Sequence, residues 1–198
     1  MSTITAQDKI KRFQEIRGDD VYPNDDTRNT YYELLCPDNV TEIILNQSTM
    51  TAGFYGYMLK NAGEKFGWDI INDLSVSIFR DFGYLKTKEY LQKQVPIHLD
   101  ARGPVDVFMA ALISTSNPEY KFESIQYDET KTIIRLFGTC RYYKIASKLG
   151  IESYLALPIG KPWFEAIIQE LNINCSVKVE KRFQNKDGSC DYQFMFEM

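Results

Sequence analysis

The chain has 198 residues, of which 44% are hydrophobic and 25% charged, with a net charge of −4 at pH 7. That balance suits one globular domain with or without an appended arm, and excludes a disordered or fibrous chain. The acidic balance offers no basic face for a nucleic acid, and no apolar run reaches the ~20 residues that span a bilayer.

Residues 1–17 predict a short helix with Ile4, Ile10, Phe13 and Ile16 as its apolar positions. The stretch from Gly18 to Asp26 then breaks it, because Gly, Pro, Asn and Asp favour turns. Residues 1–46 read as an N-terminal arm or cap and residues 47–198 as the body. The strongest helical signal lies between Ser48 and Gln94. Tyr55, Met58 or Leu59, Ala62 and Phe66 recur at helical spacing, Ser48 or Thr49 is placed to cap the start, and Gly67 to end it. Ile71, Leu74, Ile78 and Phe82 mark a second helix that the spacing ends at Gly83. Tyr84 to Gln94 reads as a third, which Pro96 stops. Val105 to Ser114 forms another, with Pro104 in its first turn.

From Tyr120 the period changes to alternation. Tyr120 to Tyr127 and Thr132 to Thr139 predict a hairpin across Asp128 to Lys131, with Ile134, Leu136 and Cys140 on one face. Arg141 to Leu149 and Pro162 to Leu171 suit short helices. A closing hairpin runs from Cys175 through a turn at Asn185 to Gly188 and back along Cys190, Tyr192, Phe194 and Phe196. The expected class is α+β, a helical first half packed on a mainly antiparallel sheet of about four strands.

The stretch TIIRLFGTCRYYKIASKLGI, a helical spacer and the closing KVEKRFQNKDGSCDYQFMF carry a pattern of their own. A strand runs into a Cys and a short helix ending in Gly, and the chain closes on a Gly-x-Cys-Asp-aromatic-x-Phe hairpin. Here these positions are Cys140, Gly150, Gly188, Cys190, Asp191, Tyr192 and Phe194. Together with EKFGWDIINDLSVSIFRDFGY, they resemble the L-2-amino-thiazoline-4-carboxylic acid hydrolase-like family over roughly residues 50–198. The terminal hairpin is also similar to that of 4-vinyl-reductase-type domains and, more distantly, of TRAPP vesicle-tethering subunits. The resemblance implies helices on an antiparallel sheet, an apolar cavity between the layers and a homodimer.

The candidate chemistry centres on a few residues. Cys140, followed directly by Arg141, is a candidate nucleophile, because a neighbouring cation favours the thiolate. His98 is the one histidine of the chain and a candidate general base, with Asp100 or Asp106 to orient it. Arg141 and Tyr142 are placed to hold a carboxylate, Arg by a bidentate pair and Tyr by its hydroxyl. Cys190 is a further candidate ligand contact. Each residue has a plainer role open to it: buried cysteine packs as a small hydrophobe, and a loop histidine is often a surface group. No C-x-x-C or phosphate loop occurs, so no metal and no cofactor is expected.

The opening MSTITAQDKIKRF holds no apolar secretory run, and the four cysteines suit reduced thiols, so the expected location is cytoplasmic. The resemblance implies a small-molecule-binding domain, either a hydrolase of a C–N or C–S bond in a small cyclic carboxylate or a non-enzymatic binding module. The module would hold an apolar ligand such as an acyl chain or pigment intermediate. A purely structural dimer is the third alternative.

Overall fold

The computed structural model describes residues 23–115, 119–155 and 160–198, together with Asp8, Lys11, Asp19, Asp20 and Val21. The helix expected over residues 1–17 lies outside the described residues except at Asp8 and Lys11, which are helical. The chain divides into two compact units, Met1–Asn46 and Gln47–Met198. Within the first unit, helix α1 spans Asp25–Leu35. The Asn24 side chain accepts from the Thr27 N–H at 2.7 Å, and Asp25 and Asp26 place negative charge at the positive end of the helix.

Helix α2 spans Val40–Phe66 and so begins eight residues before Ser48, the expected start. Asn39 supplies the cap, accepting from the Glu42 N–H at 3.0 Å. The hydroxyl residues that looked like caps lie inside the helix, where Thr51 Oγ1 donates to the Gln47 carbonyl at 3.0 Å. Gly67 ends α2 with a φ of 102°, a conformation that favours glycine.

Helix α3 spans Ile70–Gln92 as one element where two were expected. Gly83 does not break it. Its missing side chain admits helix α6 (Gly160–Glu170), since a Cβ there would lie 2.6 Å from the Trp163 carbonyl oxygen and 2.8 Å from Ala166 Cβ. The glycine serves close helix packing instead of termination. Helix α4 spans Gly103–Thr115 and helix α5 Arg141–Lys148, with Cys140 at the N-cap of α5.

Strands β1 (Tyr120–Tyr127), β2 (Lys131–Thr139), β3 (Ser176–Gln184) and β4 (Ser189–Glu197) form one antiparallel sheet in the order β1-β2-β4-β3. The two expected hairpins therefore meet along β2 and β4, with Ile134 opposite Phe194 and Leu136 opposite Tyr192. Alternation sends Ile134, Leu136, Tyr192, Phe194 and Phe196 into the main core. There Phe164 of α6 lies 4.9 Å from the Phe194 ring and 5.0 Å from the Phe196 ring. Each such buried aromatic contributes roughly 1.5–3 kcal/mol of transfer free energy. The opposite residues of the strands carry a charged ladder in which Arg135 forks onto Asp191 at 3.0 and 2.7 Å. A second core cluster joins Tyr55 and Leu59 of α2, Ile71 of α3 and Ala146 of α5. Among the described residues no helix is long and apolar enough to cross a membrane.

Candidate functional site

A cavity of about 230 Å³ lies between the helices and the sheet of the second unit. Its lining comes from Phe79, Phe82 and Lys86 of α3, Phe108, Ala111 and Thr115 of α4, and Gly160, Trp163 and Phe164 of α6. Leu136, Cys140, Tyr142, Tyr192 and Phe194 complete it from the sheet and from the start of α5. The spacing of Phe79, Phe82 and Lys86 is a helical stripe, and that of Phe108, Ala111 and Thr115 another, so each helix turns one face inward.

Exposure orders these residues from rim to floor. Phe82 is 53% exposed, whereas Phe164 and Phe194 are at 0% and 1%. The walls are almost wholly apolar. An engineered apolar cavity of about 150 Å³ holds benzene, so in proportion this one suits roughly nine non-hydrogen atoms.

Two of the sequence candidates meet at the cavity. Cys140 is buried at the end of β2, where the chain leaves the sheet for α5, and Tyr142 follows in the first turn of that helix. Tyr142 stands edge-on to Tyr55 and Phe79, with ring centroids 5.2 and 5.5 Å away. Burial raises its phenol above the ordinary tyrosine value. Tyr55 donates to or accepts from Ser75 Oγ at 2.6 Å, and burial, working against that bond, pushes its phenol up to about 12.

The remaining candidates lie elsewhere. Arg141 is not among the lining residues. Its guanidinium bonds Glu119 and the Thr49 hydroxyl, so the carboxylate it meets belongs to the protein. Cys190 is buried in β4 and also does not line the cavity.

His98 belongs to a separate cluster. Its Nδ1 lies 2.8 Å from Asp106 Oδ2, and its backbone N–H donates to the same oxygen at 2.8 Å. The Tyr127 hydroxyl donates to the other oxygen of Asp106, and desolvation, with that hydrogen bond second, raises its phenol. Asp106, not Asp100, therefore orients the imidazole, while Asp100 pairs with Arg102. The loop carrying His98 crosses α4 where Gly103 leaves room, because a Cβ there would meet the His98 carbonyl oxygen at 2.2 Å. The arrangement can fix one imidazole orientation for proton transfer, but none of its three residues lines the cavity.

Tyr192 and Lys86 are among the lining residues that the sequence did not mark as site residues. Tyr192 sits in the floor with its hydroxyl buried and without a protein hydrogen-bond partner, and desolvation raises its phenol strongly. Lys86 lies at the rim, where its Nζ is 2.7 Å from Glu89. The i, i+3, i+7 spacing of Phe79, Phe82 and Lys86 was the available signal. Among the described residues no cluster of His, Cys, Asp or Glu side chains could hold a metal ion. Comparisons with protein-family models, with curated proteins and with solved structures return no match for this chain.

Proposed function

We propose that residues 47–198 form a small-molecule-binding domain that takes an apolar ligand into the interlayer cavity and acts by binding. The observation that carries this reading is a cavity of about 230 Å³ whose described lining residues present almost no polar surface. Catalytic pockets add convergent polar groups to an apolar lining, whereas a carrier pocket can be dry. Two further facts support it: Arg141 is engaged by Glu119, and His98 stands with Asp106 and Tyr127.

One observation favours the second reading, hydrolysis of a C–N or C–S bond in a small cyclic carboxylate. Cys140 lines the cavity and is the one cysteine among its described lining residues. Native mass spectrometry of the purified protein, followed by displacement of an apolar fluorescent dye by small neutral hydrocarbons and alcohols, separates the two. Binding that survives Cys140→Ala, without turnover of 2-amino-thiazoline-4-carboxylate, is expected. Turnover that disappears in that variant would establish the hydrolase instead. The homodimer belongs to this same proposal through the family resemblance, and the cytoplasmic location through the cysteines that suit reduced thiols; the dimer is tested by the mass in that first spectrum.

A further inference from the structure

We infer that the cavity selects an aromatic molecule carrying one negative charge at its outer end, an arylalkyl carboxylate, with Lys86 as the residue that meets the charge. This deepens the binding reading above and rests on it. The observations concern the two ends of the cavity. At the floor stand three aromatic residues, Phe164, Tyr192 and Phe194, and aromatic walls favour a flat ring packed edge-to-face or offset over a branched aliphatic body. A phenyl ring with a chain of three carbons makes the roughly nine atoms that the volume holds.

At the rim, Lys86 is the only charged residue among the described lining residues. Its stem lies against the cavity while its ammonium group, with the side chain 24% exposed, turns to Glu89. That glutamate is shared. Lys93 Nζ lies 2.6 Å from its other oxygen, so two ammonium groups face one carboxylate. Hydrogen bonds from Lys86 and then Lys93 hold the Glu89 carboxyl down at about 2. The trio therefore carries one surplus positive charge, and Lys86 is its member that lines the cavity. Lys86 can turn toward an incoming carboxylate while Lys93 continues to neutralise Glu89, so no carboxylate is left unpaired by the exchange. A neutral ligand gains nothing from that rotation. The rim thus discriminates by charge while the floor discriminates by shape.

The test uses the full chain and two nearly isosteric probes, 3-phenylpropanoate and 3-phenylpropanamide, measured by calorimetry at pH 7.5. The wild type is expected to bind the acid about fivefold more tightly, near the upper end for a partly exposed ion pair. Lys86→Met should equalise the two affinities, and Lys121→Met, a charge change on a strand position away from the rim, should leave the preference intact. If Lys86→Met fails to fold, salt provides the same reading on the wild type. At 1 M ionic strength the screening length falls to about 3 Å, and the preference for the acid should shrink while amide binding holds. Equal affinities in the wild type, or a preference untouched by Lys86→Met and by salt, would overturn the inference and leave the cavity reading standing. Binding of neutral hydrocarbons without either phenyl probe would also overturn it. Failure of every apolar probe would remove the binding reading itself.

Discussion

Arg141 and Glu119 form an ion pair between the first turn of α5 and the residue that leads into β1, with side chains 13% and 12% exposed. The pair turns the guanidinium toward the protein's own carboxylate and joins two segments 22 residues apart. Its removal leaves a largely buried carboxylate without its cation. Arg141→Met is therefore expected to lower stability by about 1–3 kcal/mol in urea unfolding. Affinity for a neutral apolar ligand should stay within twofold. A variant of unchanged stability that loses carboxylate binding would return Arg141 to the role of ligand anchor.

Gly83→Ala tests the contact between α3 and α6. Alanine would raise helix propensity by roughly 0.5–1 kcal/mol, but its Cβ would press on the Trp163 carbonyl oxygen and on Ala166. Neither neighbour is the flexible end of a side chain, so the helices must separate. Overpacking of this kind costs about 1–3 kcal/mol, and the net result should be a lower urea midpoint. Because Phe82 and Trp163 line the cavity beside this contact, ligand affinity should fall as well. A midpoint that rises would show that α3 and α6 do not approach this closely in solution.

The buried tyrosines predict an alkaline limb. The Tyr55 phenol is pushed up to about 12 by burial, above the ordinary value near 10. Folding therefore favours its protonated form. That contribution is fully present below pH 10 and is lost as pH rises through about 12, an effect of roughly 2–3 kcal/mol. Tyr142 and Tyr192 shift in the same direction and add to it. In a spectrophotometric titration, part of the tyrosinate absorbance should appear only together with loss of near-ultraviolet dichroism. A titration of all tyrosines near pH 10 in the folded protein would contradict the buried placement.

Asp191 predicts an acid limb of opposite sense. Its carboxyl is held below the usual aspartate range, chiefly by the hydrogen bonds from Arg135. The stability this supplies is present above the unfolded value near 3.9 and is lost as pH falls through the lowered native value. Arg135→Gln should lower stability at pH 7 by about 1–3 kcal/mol and flatten the dependence below pH 4. Parallel acid limbs for wild type and variant would show that the fork contributes nothing.

Much of this architecture was legible in the residues themselves, for a local reason. The alternation of Ile134 and Leu136, and of Cys190, Tyr192, Phe194 and Phe196, dictates which face of each strand turns inward, because successive strand side chains point oppositely. The turn at Asn185 to Gly188 is written in its composition, and Gly188 has the positive φ of 93° that such a turn requires. Other features had no local signature. Gly83 reads as a stop in sequence and acts as a packing notch in the fold, since only the arrival of α6 shows which role it plays. The order β1-β2-β4-β3 depends on which hairpin edges meet, and alternation within a strand carries no information about its neighbours. The site divides the same way. Cys140 and Tyr142 could be marked by their residue type at the strand-to-helix junction. The engagement of Arg141 by Glu119, the choice of Asp106 over Asp100 for His98, and the addition of Tyr127 to that pair were decided by tertiary structure. A charged side chain takes whichever partner the packed backbone brings within about 3 Å, and the 22 residues that separate Glu119 from Arg141 along the chain do not encode that distance.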